Sequence, residues 1–226
     1  MPRFAARMDR LEEVLRLARE LYDTGLGNLE GRHVVARDLP LSPVPDRAPR
    51  LLVGGGSDRV LRMAGRYADV LELHGDPRHG KVAGATMADV RHGDVARRAL
   101  TTVEDLADRI ELVRAAAVEA GRPPDAVSVS TQIWYTAYGS SQEVRAAEEE
   151  LCAQWARIPT QRLDRSPYLL FGSPAQMAEA LCERRERYGL ERIALTGEGG
   201  IRSAPADPLR FCREVLPLLG TVDLPV

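Results

Sequence analysis

Met8, Leu11, Leu15, Ala18 and Tyr22 recur at three- and four-residue intervals among arginines and glutamates, and the run stops at Gly25. That spacing gathers them on one face of a helix over 7–24, and a glycine ends such a helix readily in the left-handed conformation. Over 25–49 the periodicity is lost. Gly27 and Gly31 lie near one end and Pro40, Pro43, Pro45 and Pro49 near the other, a loop composition with a short extended pair around Arg32–Val35.

From Arg50 to Leu219 short apolar runs alternate with helical patterns. Arg50–Val53 reads as a strand running into Gly54-Gly55-Gly56-Ser57, and a helix follows with Val60, Leu61, Ala64 and Ala68 on one side. Asp69–His74 is a second strand, followed by a polar stretch from Gly75 to Leu100. Thr101 with Glu104 has the spacing of a capping box, and Val103, Leu106, Ile110, Val113 and Ala117 form the stripe of the helix behind it, which ends at Gly121. Val127–Trp134 is a third strand. Ser140 with Glu143 opens a helix to about Arg157, and Ser173-Pro174-Ala175-Gln176 opens another that ends at Gly189. Arg192–Thr196 is a fourth strand and Pro208–Leu219 a last helix. Strand and helix in alternation predict an α/β fold with a parallel sheet covered by helices, about four βα units between 50 and 219, in a single domain spanning 1–226.

Composition adds exclusions more than assignments. A net charge of -2 over 226 residues gives no electrostatic reason to expect nucleic acid or an anionic membrane as partner. No apolar run approaches the roughly 20 residues that span a bilayer, and Met1–Arg10 lacks the apolar core of a secretion signal, so a cytoplasmic location is expected. Cys152, Cys182 and Cys212 are odd in number and far apart, each in a stretch that reads as helix, where a free cysteine behaves as a small hydrophobe.

The order of the pieces resembles one family. A helix rich in arginine, then Leu29-Glu30-Gly31-Arg32-His33, then a proline-rich loop and Arg50 to Ser57, is similar to the luciferase-like signature of a helix followed by F-x-G-x-x-Y and P-P-I-L-I-G-G. Arg59 to Asp69 resembles the next family stretch, L-x-x-A-A-x-x-A-D, and Gly172 to Glu179 the late G-T-P-E-Q-V-A-E helix start. Arg185-Glu186-Arg187-Tyr188-Gly189 is similar to the R-E-R-x-G of the F420-dependent branch. The resemblance implies a luciferase-like (β/α)8 TIM barrel and a cofactor, coenzyme F420 or FMN. A whole barrel has eight strands and typically about 250 residues, so the resemblance also implies a partial barrel with the first four strands absent. Two sheet edges, at the Arg50 and Arg192 strands, then need cover from a second copy of the chain, from a partner chain, or from further residues of the same polypeptide.

In parallel barrels chemistry gathers at the C-terminal ends of the strands. At the first lie Gly54, Gly55, Gly56 and Ser57. Glycines let an anion approach the backbone, and Ser57 opens a helix whose N–H groups favour one; a tight turn with Ser57 as a plain helix cap is the other reading. In the resembled family this turn contacts the cofactor. At the second, Glu72 and His74 alternate with Leu71 and Leu73, so both point away from the helices and form a candidate acid–base pair, with a solvated or structural pair as the alternative. Family members tend to have small or neutral residues where Glu72 stands. The long segment after His74 carries His79, a candidate ligand contact, although a solvated loop explains it equally. Ser130 and Gln132 share the polar face of the third strand, and with Thr196 at the end of the fourth they are candidate substrate contacts or members of an internal hydrogen-bond network. The histidine spacings match no metal-ligand pattern, and no metal is expected.

Three functions follow. The first is an oxidoreductase or monooxygenase using F420 or FMN on a small organic substrate. The second is a truncated relative without redox activity, a small-molecule binding protein or a non-redox isomerase or lyase. The third is a subunit that completes a barrel with another chain. Fold alone does not choose among them.

Overall fold

A computed structural model describes residues 4–78, 100–137, 142–146, 149, 166–196 and 207–220. The chain forms two compact units, one of 1–72 with 111–128 and the other of 73–110 with 129–226.

The first unit opens with helix α1, Phe4–Thr24, which starts three residues earlier than the apolar spacing indicates. Gly25 follows at φ 74°, as the terminating glycine requires. The segment expected to be loop with a short extended pair forms a longer two-stranded antiparallel hairpin, β1 (Leu26–Glu30) and β2 (Val35–Pro40). Alternation was hard to see there because Gly27 occupies an inward position. A Cβ on Gly27 would lie 2.7 Å from Leu17 Cδ1, so α1 and β1 pack too closely for any side chain. The Arg32–Val35 stretch is mostly the hairpin turn. Its amides from Arg32, His33 and Val34 donate to the Glu13 carboxylate of α1 at 2.8, 2.8 and 2.7 Å. Desolvation works against that charge, but the three amides hold the Glu13 carboxyl below its ordinary value.

Strand β3 is Leu52–Gly55, helix α2 Asp58–Tyr67 and strand β4 Val70–Leu73, with β3 beside β4. Helix α2 buries Val60, Leu61, Met63, Ala64 and Gly65. Gly65 lies against the second half of helix α3, Val103–Glu119: an added Cβ would meet Val113 O at 2.5 Å and Ala116 Cβ at 2.7 Å. The far end of α2 is capped by two arginines. Arg19 donates to Tyr67 O through Nε (3.1 Å) and Nη2 (2.7 Å), and Arg122 donates to Gly65 O (2.6 Å) and Ala68 O (2.7 Å). Both guanidiniums face Asp69, at 2.8 Å from Arg19 and 3.9 Å from Arg122. Asp69 also accepts from Leu51 N–H (2.7 Å), and its carbonyl accepts from Ser128 N–H (3.0 Å). Partial burial disfavours the charged form of Asp69, yet these donors hold its carboxyl below the usual range.

In the second unit, strand β5 (Ser128–Ala137, with Ser128 in the first unit) is joined in parallel by β6 (Leu169–Gly172) and β7 (Leu190–Thr196). β6 is a strand that the spacing of apolar residues did not reveal, because it is four residues long and pairs only with the far end of β5, from Trp134↔Leu169 onward. Helix α4, Pro174–Tyr188, begins with the expected capping box of Ser173 and Gln176 and ends at Gly189 in the left-handed conformation. Helix α5, Pro208–Glu214, is followed by a 3-10 turn at Leu216–Leu219. Ile133, Leu170, Met177, Ala178, Leu181, Phe211 and Val215 form the core of this unit, with Ile193 and Leu195 packed against it. Cys182 is half-buried, but Cys212 is exposed rather than part of the core. The helix expected from Ser140 to Arg157 lies mostly outside the described residues, and 142–146 are helical. A parallel sheet with helices packed on it makes this an α/β fold.

The Gly65→Ala substitution has no room for its methyl group and is expected to destabilise the protein by about 1–3 kcal/mol, read from the urea midpoint at constant slope. Asp69→Asn is expected to cost about 1–3 kcal/mol at pH 7. Because the folded-state value of Asp69 is depressed, its contribution is complete above the ordinary carboxylate value of about 3.9 and fades as pH falls through the lower folded value. Parallel urea titrations at pH 7 and pH 3 should therefore show the gap between the two proteins narrowing in acid.

Candidate functional site

The glycine turn after β3 is built for close approach. Gly55 has φ 158°, and a Cβ there would sit 2.7 Å from Val60 Cγ1, so a side chain would push the first turn of α2 away. Ser57 is the N-cap of α2 by backbone, in extended conformation (φ -85°, ψ 148°), and its carbonyl accepts from Leu61 N–H at 3.0 Å. Its hydroxyl does not perform the expected capping bond. Ser57 Oγ is buried and has no hydrogen-bond partner. A buried hydroxyl left unmade costs about 1–3 kcal/mol, which a ligand oxygen would recover. The amides of the first turn of α2 add donors and the positive end of the helix dipole. Asp58, exposed at the first helical position, opposes an anion. Arg59 next to it is engaged by α1, donating to Asp9 (2.5 Å) and Glu12 (3.5 Å), and it holds the Asp9 carboxyl below its usual range.

Glu72 is half-buried in β4, between Leu71 and Leu73, which are both fully buried. His74 is exposed and stands one residue past the end of the strand, so the ladder does not impose the alternation that would align it with Glu72. Glu72 belongs to the first unit and His74 to the second. Within the second unit, Thr131 Oγ1 donates to Leu73 O (3.2 Å), fixing the end of β4 against β5 and setting the point from which His74 emerges.

The candidates on β5 and β7 fall together. Ser130 pairs with Arg192, Gln132 with Ala194 and Trp134 with Thr196, and paired residues in a parallel ladder share a face. Ser130, Gln132 and Thr196 therefore hold positions on one side of the sheet, opposite Ile133, Ile193 and Leu195, which pack with α4 and α5. Ser130 is buried and Gln132 half-buried, while Arg192 and Ala194 beside them are exposed. Ser128, on the same face, is structural: it accepts from Arg50 Nη2 at 2.6 Å. His79 lies outside the described residues.

One group at the strand ends has no counterpart among the sequence candidates. Asp76 is fully buried two residues after His74. Its amide donates to Thr101 Oγ1 at 2.9 Å, and its carboxylate accepts from Arg78 N (2.8 Å), Arg78 Nε (2.7 Å) and Arg78 Nη2. Arg109 Nη1 lies 3.3 Å from the same carboxylate, and its side chain is also buried. Burial works against the charge on Asp76, yet Arg78 and Arg109 hold its carboxyl below the usual range. The capping box of α3 is shifted accordingly: Thr102 and Asp105 exchange the capping bonds (2.9 and 3.2 Å), which leaves Thr101 for Asp76. The signal in the sequence was two adjacent threonines, either of which satisfies the capping pattern. Among the described residues, no group of three or more histidine, cysteine or carboxylate side chains could hold a metal ion. No helix among them is long and apolar enough to cross a membrane.

The comparisons with known proteins agree with this architecture. Residues 2–99 match the model of the luciferase-like monooxygenase family. Along 95% of its length the chain is 25% identical to the pyrimidine monooxygenase RutA of Enterobacter sp. (strain 638), of which it covers 61%. Among solved structures it is similar to riboflavin lyase (RcaE) with modified FMN and riboflavin, with a TM-score of 0.63 and 17% identity over 97% of this chain and 58% of that one. It is equally similar to an F420-dependent secondary alcohol dehydrogenase in complex with an F420-acetone adduct, with a TM-score of 0.63 and 16% identity over 97% of this chain and 64% of the other. The chain spans about three fifths of the length of such relatives. The fold is thus that of a luciferase-like TIM-barrel fragment, and it is residues 2–99 that match the luciferase-like monooxygenase family.

Proposed function

We propose that this protein contributes a cofactor-binding part of a flavin- or F420-dependent oxidoreductase acting on a small organic substrate. The observation that carries the reading is the partnerless, buried Ser57 hydroxyl at the mouth of α2, beside a turn in which Gly55 leaves no room for a side chain. Ser57 Oγ and the first-turn amides would hold the phosphate shared by FMN and F420, and Gly54–Gly56 would let it reach the backbone. When bound, such a cofactor supplies hydride transfer or oxygen activation. The chain's own residues bind, orient and move protons. His74, exposed one residue past the end of β4, is the proton donor. Gln132, Ser130 and Thr196 offer polar positions for a substrate on the side of the sheet away from the helices.

Glu72, a half-buried carboxylate on β4, favours a second reading, a ligand-binding or non-redox relative in which the same turn holds an anion without redox turnover. Both readings leave β3 paired only with β4 among the described residues, with Leu52 53% exposed. A second copy or a partner chain covering that edge belongs to the proposal, as does a cytoplasmic location.

Titration of the purified chain with FMN, riboflavin and F420, followed by fluorescence, tests the cofactor reading. FMN is expected to bind about tenfold or more tightly than riboflavin, and Ser57→Ala to remove most of that difference. Absence of binding by both FMN and F420 would overturn it. With a turnover assay in hand, His74→Gln is expected to lower kcat by roughly a hundredfold while leaving cofactor affinity unchanged. Unaltered kcat would remove His74 from the mechanism.

A further inference from the structure

The ladder between β5 and β7 slips by one residue near its start. Val129 pairs with Leu190, but the next residue, Ser130, pairs with Arg192, so Glu191 is left over on β7. Without the slip Ser130 would pair with Glu191, and Arg192 with Thr131 on the side of the sheet that packs against α4 and α5. With it, Leu190 and Ile193 both keep to the helix side, and Arg192 takes the opposite one. An extra residue of this kind re-aims a side chain, and bulges recur beside functional sites for that reason.

Arg192 is exposed, and among the described residues its guanidinium has neither a hydrogen bond nor an ion pair. It is also the one charged residue that the described parts of β5, β6 and β7 place on that face. Ser130, its partner in register, is only 8% exposed, so a hydroxyl-bearing residue of low exposure stands directly beside the cation. Ala194, the next residue of β7 on the same face, is exposed and too short to block the row that runs from Arg192 to Thr196. Those two positions are four residues apart, about 13 Å along the strand.

We propose that Arg192, with Ser130 beside it, binds the carboxylate end of an elongated small substrate whose body runs past Gln132 toward the position of Thr196. The inference rests on the reading of Ser130, Gln132 and Thr196 as substrate positions and adds the chemical class of that substrate. A guanidinium presents paired N–H donors that match the two oxygens of a carboxylate, and the Ser130 hydroxyl adds a donor from the adjoining strand. No carboxylate among the described residues claims Arg192, so an anionic guest displaces only water from it. Ser130, Gln132 and Ala194 are neutral, and the row therefore asks for one anionic end and an uncharged body.

The test uses the full chain with 15N-labelled arginine and two probes of equal length, sodium hexanoate and its neutral amide, hexanamide. Hexanoate should shift the Arg192 Nε–H signal, identified by its loss in Arg192→Lys, and should bind about tenfold or more tightly than hexanamide. Arg192→Gln should bring the two probes to equal affinity with an unchanged urea midpoint, since the side chain it replaces is exposed. Arg192→Lys should keep part of the preference, having the charge without the planar fork. Ser57→Ala should keep all of it. No movement of the Arg192 signal up to about 50 mM hexanoate, or the same preference in Arg192→Gln as in the wild type, would overturn the inference. So would a signal that moves with protein concentration and not with hexanoate, which assigns Arg192 to a contact with a second copy. Titrations with FMN and F420 separate this failure from that of the cofactor reading. Cofactor binding without a hexanoate preference overturns the substrate class alone, and a hexanoate preference without cofactor binding overturns the cofactor alone.

Discussion

Asp69 is where the first unit is tied together. Its carboxylate receives the Leu51 amide and the Arg19 guanidinium, its carbonyl receives the Ser128 amide, and Arg122 stands close by. Through those bonds one residue, by its side chain and its carbonyl, joins α1, the start of β3, the start of β4 and the start of β5. The two arginines it attracts cover the carbonyls at the C-terminal end of α2, which a helix end otherwise leaves unmade. The opposite end of α2 has no such cover at Ser57. The helix is anchored at its tail by charge, whereas at its head the Ser57 hydroxyl is buried without a partner.

The long-period features of the fold could be read from the sequence. The α3 stripe of Leu106, Ile110, Val113 and Ala117 is buried as its spacing required, and the Ser173–Gln176 box and Gly189 bound α4 where the pattern placed them. The hairpin at Leu26–Pro40 was readable only as a short extended pair, because its inward positions are Gly27 and Leu29 and its turn is held by Glu13, a residue of a different element. β6 escaped for a related reason: a four-residue strand carries too few alternations to stand out.

Legibility of the site was uneven for the same kind of reason. Strand alternation grouped the positions of Ser130 and Gln132, and the register of the parallel ladder, which the sequence does not carry, adds that of Thr196. It could not reach His74, which lies beyond the last paired residue of β4. Asp76 was invisible as a buried group because nothing local distinguishes it from the polar residues that follow. Its burial depends on Thr101 and Arg109, twenty-five or more residues away, and on a helix cap displaced by one position.

The Glu13 carboxylate occupies three consecutive amides of the hairpin turn, from Arg32 to Val34. Converging main-chain donors of that sort are what a free oxyanion seeks. At the hairpin the protein has supplied its own tethered guest, present at an effective concentration that no dissolved phosphate matches. At the head of α2 the Ser57 hydroxyl has no hydrogen-bond partner among the described residues, so there the protein has tethered no guest of this kind to it.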